Sequence, residues 1–248
     1  MKRKTCLVVQ ARMGSQRLPG KSDFFLGQKT ILETIFSRLN DLDVSKWLAT
    51  SSLPEDDVLE KRALLYGWRV YRGENKDVLS RFVEILSKES AETCVRVTGD
   101  NPLVCPAGLK RMIENFNSLN NEIDYMSDFD FGYFPAGAFA EVFSVPKFLM
   151  GIESIPNVEP WHRAHVTTWM RKTTRISSLL LPNDFVSRPN WRWTVDYSED
   201  LRFIHQLINK LGESWINLSY PEIVKVIDRN PELVRINSRM KQKPIELG

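Results

Sequence analysis

Short apolar runs alternate with amphipathic segments through the first half of the chain, and this alternation constrains the fold more than any other feature. Runs typical of buried strands lie at residues 7–11, 47–50, 69–71 and 93–97. Segments with helical periodicity or helix-start signals follow them, at residues 30–40, 52–66, 77–88 and 106–117. Repeated strand–helix units bring strands side by side in parallel and cover both faces of the sheet with helices. The pattern therefore predicts an α/β fold built on a mostly parallel sheet.

The second half of the chain has a weaker pattern. Residues 121–140 are rich in Asp, Phe, Tyr and Gly without a helical period, which predicts a long loop or an irregular hairpin. Beyond it we expect two strands and three helices, at 141–145 and 176–181 and at about 160–171, 198–211 and 221–229. We interpret residues 1–248 as a single domain with an inserted lobe at about 121–190.

Composition excludes several classes of protein. A net charge of +3 without a Lys/Arg-rich run argues against a nucleic-acid partner. No stretch approaches the roughly 18 apolar residues of a membrane span, and residues 1–4 precede a short strand rather than a signal peptide. Cys6, Cys94 and Cys105 follow no metal-binding spacing, and their odd number argues against a disulfide framework. We therefore expect a cytoplasmic protein that binds neither nucleic acid nor membranes.

The loop after the first predicted strand carries three cations within ten residues, Arg12, Arg17 and Lys21. Glycines such as Gly14 and Gly20 let backbone N–H groups converge on an anion, and the cations supply the countercharge. Open α/β sheets bind nucleotide phosphates at the carboxyl ends of their strands. This loop therefore predicts a polyphosphate site.

The loop is not a P-loop of the Walker type. Its nearest segment, residues 15–22, has Ser15 where that motif requires Gly. The motif also needs its lysine to open a helix, whereas the next predicted helix begins only at Thr30, in the capping box Thr30-Ile31-Leu32-Glu33. A P-loop kinase is disfavoured.

Two aspartates each end an apolar run. Asp100 follows Gly99 and precedes Asn101-Pro102, so it is either a turn former or a carboxylate at the phosphate-binding edge of the sheet. Asp196 ends the run 190–195 before a predicted helix, where capping is an equally simple explanation. Mg²⁺ usually takes one or two protein carboxylates together with phosphate oxygens and water. Spacing alone does not bring the two aspartates together.

Other chemical candidates carry weaker signals. His162 and His165 are spaced i,i+3 on a predicted helix without an evident third ligand, so we interpret them as structural or substrate-contacting rather than zinc-binding. Four aromatic side chains could form the wall of a sugar pocket or pin their loop to the core, namely Phe129, Phe131, Tyr133 and Phe134.

Residues 9–21, Val-Gln-Ala-Arg-Met-Gly-Ser-Gln-Arg-Leu-Pro-Gly-Lys, resemble the signature of the cytidylyltransferase family. This family contains the CMP-Kdo and CMP-acylneuraminate synthetases, and the resemblance is strongest to its spore-coat polysaccharide biosynthesis branch. Weaker matching segments follow in family order, at 54–57, 72–74, 77–82, 95–103, 141–143, 165–167, 192–196, 199–200 and 230–233.

The resemblance implies a Rossmann-like, glycosyltransferase-A-type sheet of the nucleotide-diphospho-sugar transferase kind, and a homodimer formed through a lobe of the second half. It implies CTP and Mg²⁺ as co-substrate and cofactor. In the implied reaction an acceptor oxygen attacks the α-phosphorus of CTP and pyrophosphate leaves, which requires positioning and charge neutralisation more than covalent catalysis.

The same resemblance assigns roles to individual residues. The implied catalytic residues are Arg12, Lys21, Asp100 and Asp196, of which Asp100 and Asp196 would hold the metal. The implied nucleotide-binding residues are Ala11, Arg12, Gly14, Ser15, Arg17, Lys21, Arg72, Glu74, Asp77, Thr98 and Asp100. The implied acceptor-binding residues are Glu141, His165 and Arg192, to which we add Tyr133 from the aromatic candidates above.

The chain departs from the family pattern on the acceptor side. Phe139 and Ala164 stand where the related branch has acidic residues. We therefore expect a CTP-dependent cytidylyltransferase that transfers CMP to a sugar acid or a similar small acidic acceptor, for cell-surface polysaccharide biosynthesis. A phosphomonoester acceptor giving a CDP-linked product is one alternative. A glycosyltransferase is another, although the segment after Asp100 lacks the second Asp of an Asp-x-Asp motif. A binding subunit without turnover is disfavoured because all four implied catalytic residues are present.

Overall fold

A seven-stranded sheet forms the centre of the molecule. The computed structural model describes residues 3–119, 122–128, 131–153, 160–178 and 181–242. Its strands are β1 (Thr5–Gln10), β2 (Phe25–Leu26), β3 (Lys29–Thr30), β4 (Ser45–Ser51), β5 (Arg69–Gly73), β6 (Thr93–Thr98), β7 (Tyr125–Met126), β8 (Glu141–Ser144) and β9 (Ile176–Ser177). Seven of them pair in the order β5-β4-β1-β6-β8-β7-β9, and β2 and β3 form a separate hairpin. The first four strands of that order are parallel, and β8 runs antiparallel to β6 and β7. The mostly parallel sheet predicted from the sequence is confirmed.

Helices lie on both faces of the sheet. They are α1 (Ile31–Leu39), α2 (Asp57–Leu65), α3 (Val78–Lys88), α4 (Pro106–Ser118), α5 (Val145–Glu153), α6 (Pro160–His165), α7 (Met170–Thr173), α8 (Ser198–Leu211), α9 (Tyr220–Arg229) and α10 (Glu232–Arg235). Alternate residues of β1 enter two separate apolar cores. Cys6 and Val8 pack with the apolar face of α3, whereas Leu7 and Val9 pack with α1, α4 and α8. The period of two along a strand therefore explains why the run 7–11 is apolar throughout.

Local signals predict the first helices well. Thr30 accepts a hydrogen bond from the Glu33 backbone N–H, and the Glu33 carboxylate accepts one from the Thr30 backbone N–H. This capping box starts α1 where it was expected. Asp77 caps α3 in a related way by accepting a hydrogen bond from the Ser80 backbone N–H at 2.9 Å.

The second half differs from the sequence analysis at three places. The helix expected at 160–171 is interrupted between α6 and α7, where the buried Val166 takes a left-handed backbone with φ 59°. The run ending in Asp196 forms no strand of the described sheet, but makes an isolated bridge between Arg192 and Ala136. Helix α5 was not predicted, because its apolar residues directly continue the run of β8.

Further observations concern the cysteines, membrane spans and the outer strands of the sheet. Cys6, Cys94 and Cys105 are buried free thiols. Within the described ranges no helix is long and apolar enough to cross a membrane. Strand β9 covers only the start of the strand expected at 176–181, and residues 179–180 lie outside the described part of the chain. The lobe at about 121–190 and the homodimer stay predictions.

Candidate active site

A cleft of about 1480 Å³ opens at the carboxyl ends of β1 and β6. Four parts of the chain line it: the loop after β1, residues 74–81, the segment after β6, and residues of the second half between 127 and 242. This is the edge at which open α/β sheets bind their ligands. The cleft therefore lies where the cationic loop predicted it.

Two glycines shape the walls of this cleft. Gly20 has φ 73°, a left-handed conformation, and its N–H donates to the Met13 carbonyl, which also accepts from the N–H of Ser15. A Cβ placed on Gly99 would lie 2.6 Å from the Ala11 Cβ, so only glycine allows the ends of β1 and β6 to approach this closely. The loop and Asp100 are thereby brought to the same point of the cleft.

Lys21 joins the two aspartates that ended the apolar runs. Its Nζ donates to Asp100 Oδ2 at 2.7 Å and to Asp196 Oδ1 at 2.9 Å. Arg17 lies beside them, with its Nη2 2.6 Å from Asp196 Oδ1. Asp196 reaches this position because the Val195 N–H donates to the Asp100 carbonyl at 2.8 Å, which joins the two segments directly. Four residues that the resemblance assigned to one site therefore lie in one cluster.

A buried network holds Asp196 from behind. Arg192 Nη2 donates to Asp196 Oδ2 at 3.1 Å and to Asp200 Oδ2 at 3.0 Å, and its Nη1 donates to Gln242 Oε1 at 2.7 Å. Asn237 Nδ2 donates to Asp200 Oδ1 at 2.9 Å. Asp200 also accepts from the backbone N–H of Asp196 at 3.0 Å. The carboxylate that faces the cleft is thus fixed from several sides.

Electrostatics keep the cluster charged. Burial disfavours the ammonium of Lys21, but the negative charges of Asp100 and Asp196 outweigh it and raise the pKa of Lys21. Burial likewise opposes ionisation of Asp100, yet the Lys21 ammonium outweighs it and lowers the pKa of that carboxyl. For Arg192, hydrogen bonds to Asp200 outweigh burial and raise its pKa. These shifts favour the charged forms of Lys21, Asp100 and Arg192.

The two carboxylates fit a magnesium ion. Asp100 Oδ1 is buried and accepts no hydrogen bond from the residues that the structure describes. Hard carboxylate oxygens suit Mg²⁺, which completes its shell with phosphate oxygens and water. The described ranges contain no group of three or more His, Cys, Asp or Glu that could hold a metal. A cation there would compete with Lys21 for Asp100 Oδ2 and Asp196 Oδ1.

Most of the residues assigned to the nucleotide line the cleft. These are Ala11, Arg12, Gly14, Ser15, Arg17, Lys21, Glu74, Asp77, Thr98 and Asp100. Arg12 Nη1 donates to the backbone carbonyl of Asn75 at 2.8 Å, which ties the loop after β1 to the segment after β5. Arg72 is an exception. It is absent from the lining and pairs with Asp57 and Glu60 of α2, at 2.6 and 2.7 Å.

The residues assigned to the acceptor divide into two groups. Glu141 and His165 line the cleft, and Glu141 Oε2 is 2.6 Å from Arg96 Nη1 and accepts from Thr167 Oγ1 at 2.8 Å. Tyr133 and Arg192 do not line it: Tyr133 is an exposed side chain, and Arg192 is buried behind Asp196. Arg192 therefore supports a carboxylate instead of facing the acceptor side.

The left-handed residue Val166 is close in the chain to His165, one of the residues assigned to the acceptor. A β-branched residue disfavours positive φ, and Val166 is held there by its N–H, which donates to the His162 carbonyl at 2.9 Å. The turn brings His165 to the cleft and Thr167 to Glu141. His162 instead shares a hydrogen bond between its Nδ1 and Thr168 Oγ1 at 2.6 Å.

The aromatic candidates of the sequence analysis also differ in whether they line the cleft. Phe134 lines the cleft and packs at 4.9 Å between ring centroids against Phe139, which contacts Tyr220 in turn. Phe131 and Tyr133 stack on each other at 6.2 Å outside it, and Phe129 lies outside the described residues. Phe139, which replaces an acidic family position, therefore belongs to an apolar cluster at the wall of the cleft.

Sequence patterns missed several residues of the site. Tyr197 accepts a hydrogen bond from Arg17 Nη1 at 3.4 Å, and Asn237 and Gln242 belong to the network behind Asp196. No local pattern marks these three. Arg81 is different, since it lies three residues after Val78 on the apolar face of α3, where a cation is unexpected.

Comparisons with known proteins agree with this geometry. A model of the cytidylyltransferase family matches residues 6–176. The spore coat polysaccharide biosynthesis protein SpsF of Bacillus subtilis (strain 168) is 33% identical over 235 residues, which cover 91% of this chain and 94% of that protein. A 3-deoxy-manno-octulosonate cytidylyltransferase of Solibacter usitatus (strain Ellin6076) is 32% identical over 112 residues, or 44% of this chain and 43% of that relative. Among solved structures, a cytidylyltransferase from Leptospira borgpetersenii serovar Hardjo-bovis (strain JB197) has a TM-score of 0.86 and 26% identity, covering 98% of this chain and 100% of that one.

Proposed function

The chain belongs to the cytidylyltransferase family of nucleotidyltransferases, and we propose that it transfers CMP from CTP to a small sugar acid with release of pyrophosphate. The observation that carries this proposal is the cluster of Lys21, Arg17, Asp100 and Asp196 at one edge of the sheet. Such a cluster combines cations for a triphosphate with carboxylates for a divalent metal.

The acceptor class is supported by two relatives and by the charge of the cleft. One relative is named for spore coat polysaccharide biosynthesis and another for 3-deoxy-manno-octulosonate, which is a sugar acid. Arg163, Arg171 and Lys241 of the second half of the chain also line the cleft. Positive side chains suit an acceptor that carries a carboxylate. We therefore propose a role in making an activated sugar for a polysaccharide.

Different residues of the chain contribute to different parts of the proposed reaction. Arg17 and Lys21 supply positive charge beside the reacting phosphates, where negative charge develops on the leaving pyrophosphate. Asp100 and Asp196 would hold Mg²⁺, which when bound supplies charge neutralisation at the α-phosphate and favours ionisation of the attacking hydroxyl. Arg192 and Asp200 keep Asp196 turned toward the cleft. Little else is required, because displacement at phosphorus depends mainly on positioning.

The test is pyrophosphate release in the presence of Mg²⁺ with each of the four nucleoside triphosphates, against a panel of sugar acids and phosphorylated small acids. Release that depends on a sugar acid and on CTP supports the proposal, and mass spectrometry of the product then identifies a CMP-linked sugar. Release only with a phosphomonoester acceptor, giving a CDP-linked product, contradicts the proposed acceptor class. Release with another nucleotide in preference to CTP contradicts the proposal as a whole.

A further inference from the structure

Asp56 is a fully buried carboxylate outside the lining of the cleft. It ends the short 3₁₀ helix Pro54–Asp56, which leads into α2, and it is 0% exposed. Its oxygens accept hydrogen bonds from backbone N–H and hydroxyl groups. A buried charge costs free energy unless such bonds hold it. The groups that donate to Asp56 therefore indicate what this carboxylate does.

The two oxygens of Asp56 bind two different parts of the chain. Its Oδ1 accepts a hydrogen bond from the Met13 backbone N–H at 2.7 Å. Its Oδ2 accepts from the Ser51 backbone N–H at 3.1 Å and from the Ser51 hydroxyl. Ser51 is the last residue of β4, whereas Met13 lies in the cationic loop after β1. Asp56 therefore joins that loop to the end of a strand of the central sheet.

Met13 is the residue around which the rest of that loop folds. Its carbonyl accepts hydrogen bonds from the backbone N–H groups of Ser15 and Gly20, both at 2.8 Å. Both polar groups of the Met13 backbone are therefore bonded, the N–H to Asp56 and the carbonyl within the loop. Gly20 directly precedes Lys21, whose Nζ contacts the carboxylates of the cleft. The contact with Asp56 thus attaches the loop that carries Lys21 to the frame of the sheet.

The segment after β4 is itself braced by Arg72, which the structure places outside the lining of the cleft. Arg72 Nε donates to the Ser51 carbonyl at 3.0 Å, and its Nη2 donates to the Leu53 carbonyl at 2.8 Å. A Cβ on Gly14 would lie 3.1 Å from Glu55 Oε1, so the loop after β1 packs directly against this segment. The loop therefore lies on a support whose own backbone is hydrogen-bonded from β5.

We propose that Asp56 is a positioning residue, which holds the loop after β1 in the shape that binds the triphosphate without itself touching the ligand. A carboxylate that faced the phosphates would repel them, whereas both oxygens of Asp56 are turned to donors of the protein. A loop that is ordered in advance binds more tightly, because binding does not have to order it. The inference rests on the proposed function in taking residues 12–21 to bind phosphates.

Two substitutions of Asp56 test this role in the full chain. In Asp56→Asn we expect the amide oxygen to face Ser51, which offers two donors, so that the amide NH₂ faces the Met13 N–H and the contact with the loop is lost. Asp56→Ala removes both acceptor oxygens and serves as the second variant. Circular dichroism verifies that each variant is folded, and urea unfolding measures how much stability it has lost.

Glu89→Gln is the matched control. Glu89 is also a buried carboxylate that holds β4, but it accepts from Ser45 Oγ at 3.2 Å and from Trp47 Nε1 at 3.0 Å, at the start of that strand. The loop after β1 lies beside the other end of β4, where Asp56 contacts Ser51. A loss of stability without a change in the loop is therefore expected for Glu89→Gln.

The readouts are calorimetric titration with inorganic tripolyphosphate, which needs no acceptor, and hydrogen–deuterium exchange of the backbone in residues 12–21. We expect both Asp56 variants to bind tripolyphosphate roughly tenfold more weakly and to exchange faster in that loop, because the ligand must then order it. Glu89→Gln should match wild type in both readouts.

The outcomes separate this inference from the proposed function. Unchanged affinity for tripolyphosphate, or unchanged exchange in residues 12–21, in both Asp56 variants would overturn the inference while cytidylyl transfer stands. Equal losses of affinity in Asp56→Asn and Glu89→Gln would show that Asp56 acts only through general stability, which also overturns it. If wild-type protein does not bind tripolyphosphate, the loop is not a phosphate site, and both this inference and the proposed function are contradicted.

Discussion

Lys21 Nζ lies 2.7 Å from Asp100 Oδ2, although 79 residues separate the two along the chain. The contact joins the loop after β1 to the end of β6, and the same ammonium reaches Asp196 at 2.9 Å. A single lysine therefore connects the cationic loop after β1 with both candidate metal ligands.

Replacing Asp100 with asparagine tests whether its carboxylate holds the divalent ion. Asp100→Asn keeps the size of the side chain but removes the charge that a divalent ion requires. We expect Mg²⁺-dependent pyrophosphate release to fall by roughly 100-fold or more while the fold is kept. Asp228→Asn is the control, because that exposed carboxylate of α9 pairs with Arg188 and, among the residues that the structure describes, with no other cation. Near-normal turnover in Asp100→Asn would remove Asp100 from the site.

Replacing Lys21 with methionine tests whether the loop after β1 binds the triphosphate. Lys21→Met keeps an unbranched stem of similar length and removes the ammonium that the two carboxylates hold. We expect kcat/KM for CTP to fall by about tenfold or more, because a charge-assisted contact to the phosphates is lost. Steady-state kinetics of Lys29→Met provide the comparison, since Lys29 contacts Tyr66 away from the cleft. Unchanged kcat and KM in Lys21→Met would refute the assignment of this loop to the triphosphate.

Asn237 tests the network behind Asp196. Asn237 Nδ2 donates to Asp200 Oδ1 and, at 3.1 Å, to the Arg192 carbonyl, and the side chain is 2% exposed. Asn237→Ala should lower the free energy of unfolding by about 1–3 kcal/mol, because a buried carboxylate and a carbonyl lose their donor. We also expect kcat to fall by roughly tenfold with a smaller change in KM for CTP.

A purely structural role would predict a different result for that variant. If Asn237→Ala lowers stability but keeps kcat at saturating CTP, Asn237 does not position Asp196. Asn230→Ala is a suitable control, since Asn230 donates to the Val226 carbonyl at the end of α9 and contacts no residue of the network.

The pair Asp124–Arg175 predicts a pH-dependent contribution to stability. Asp124 accepts hydrogen bonds from Arg175 Nε at 3.0 Å and Nη2 at 2.9 Å, and these bonds lower the pKa of Asp124 below its ordinary value of 3.8. A carboxylate with a lowered pKa stabilises the fold above the unfolded value, and this contribution is lost as pH falls through the folded value. Asp124→Asn should therefore lower the free energy of unfolding at about pH 7 by about 1 kcal/mol.

Urea unfolding at two pH values measures this effect. The difference between wild type and Asp124→Asn should shrink as the pH falls from about 7 to below the ordinary value of 3.8, because protonation then removes the charge of Asp124. A difference of the same size at both values would show that the charge of Asp124 contributes nothing to the attachment of β9.

The sequence predicts the parts of this structure that local chemistry determines. The capping box at Thr30 starts α1, and the loop carrying Lys21 lies on the phosphate-binding edge, because both depend on residues close in the chain. The proximity of Asp100 and Asp196 followed only from the family resemblance. Spacing does not show it, since a long-range hydrogen bond from Val195 brings the two segments together.

Other residues could not be placed from the sequence because contacts with distant parts of the chain determine their positions. Arg192 was assigned to the acceptor, but it is buried beside Asp196 and Asp200. Its Nη1 also donates to Gln242, which lies 50 residues further along the chain. The helical pattern at 160–171 did not reveal the left-handed Val166, since a residue held by its surroundings leaves no local signal. Arg81 could have been noticed, as a charge on an otherwise apolar helical face.

The central claim is that Lys21, Asp100 and Asp196 form the site at which CTP reacts, and crystallography with CTP and Mn²⁺ in the place of Mg²⁺ tests it most directly. We expect an anomalous manganese peak at the carboxylates of Asp100 and Asp196, with the triphosphate against Arg17 and Lys21. A triphosphate or manganese ion bound elsewhere in the molecule, or no binding at saturating CTP, would contradict it.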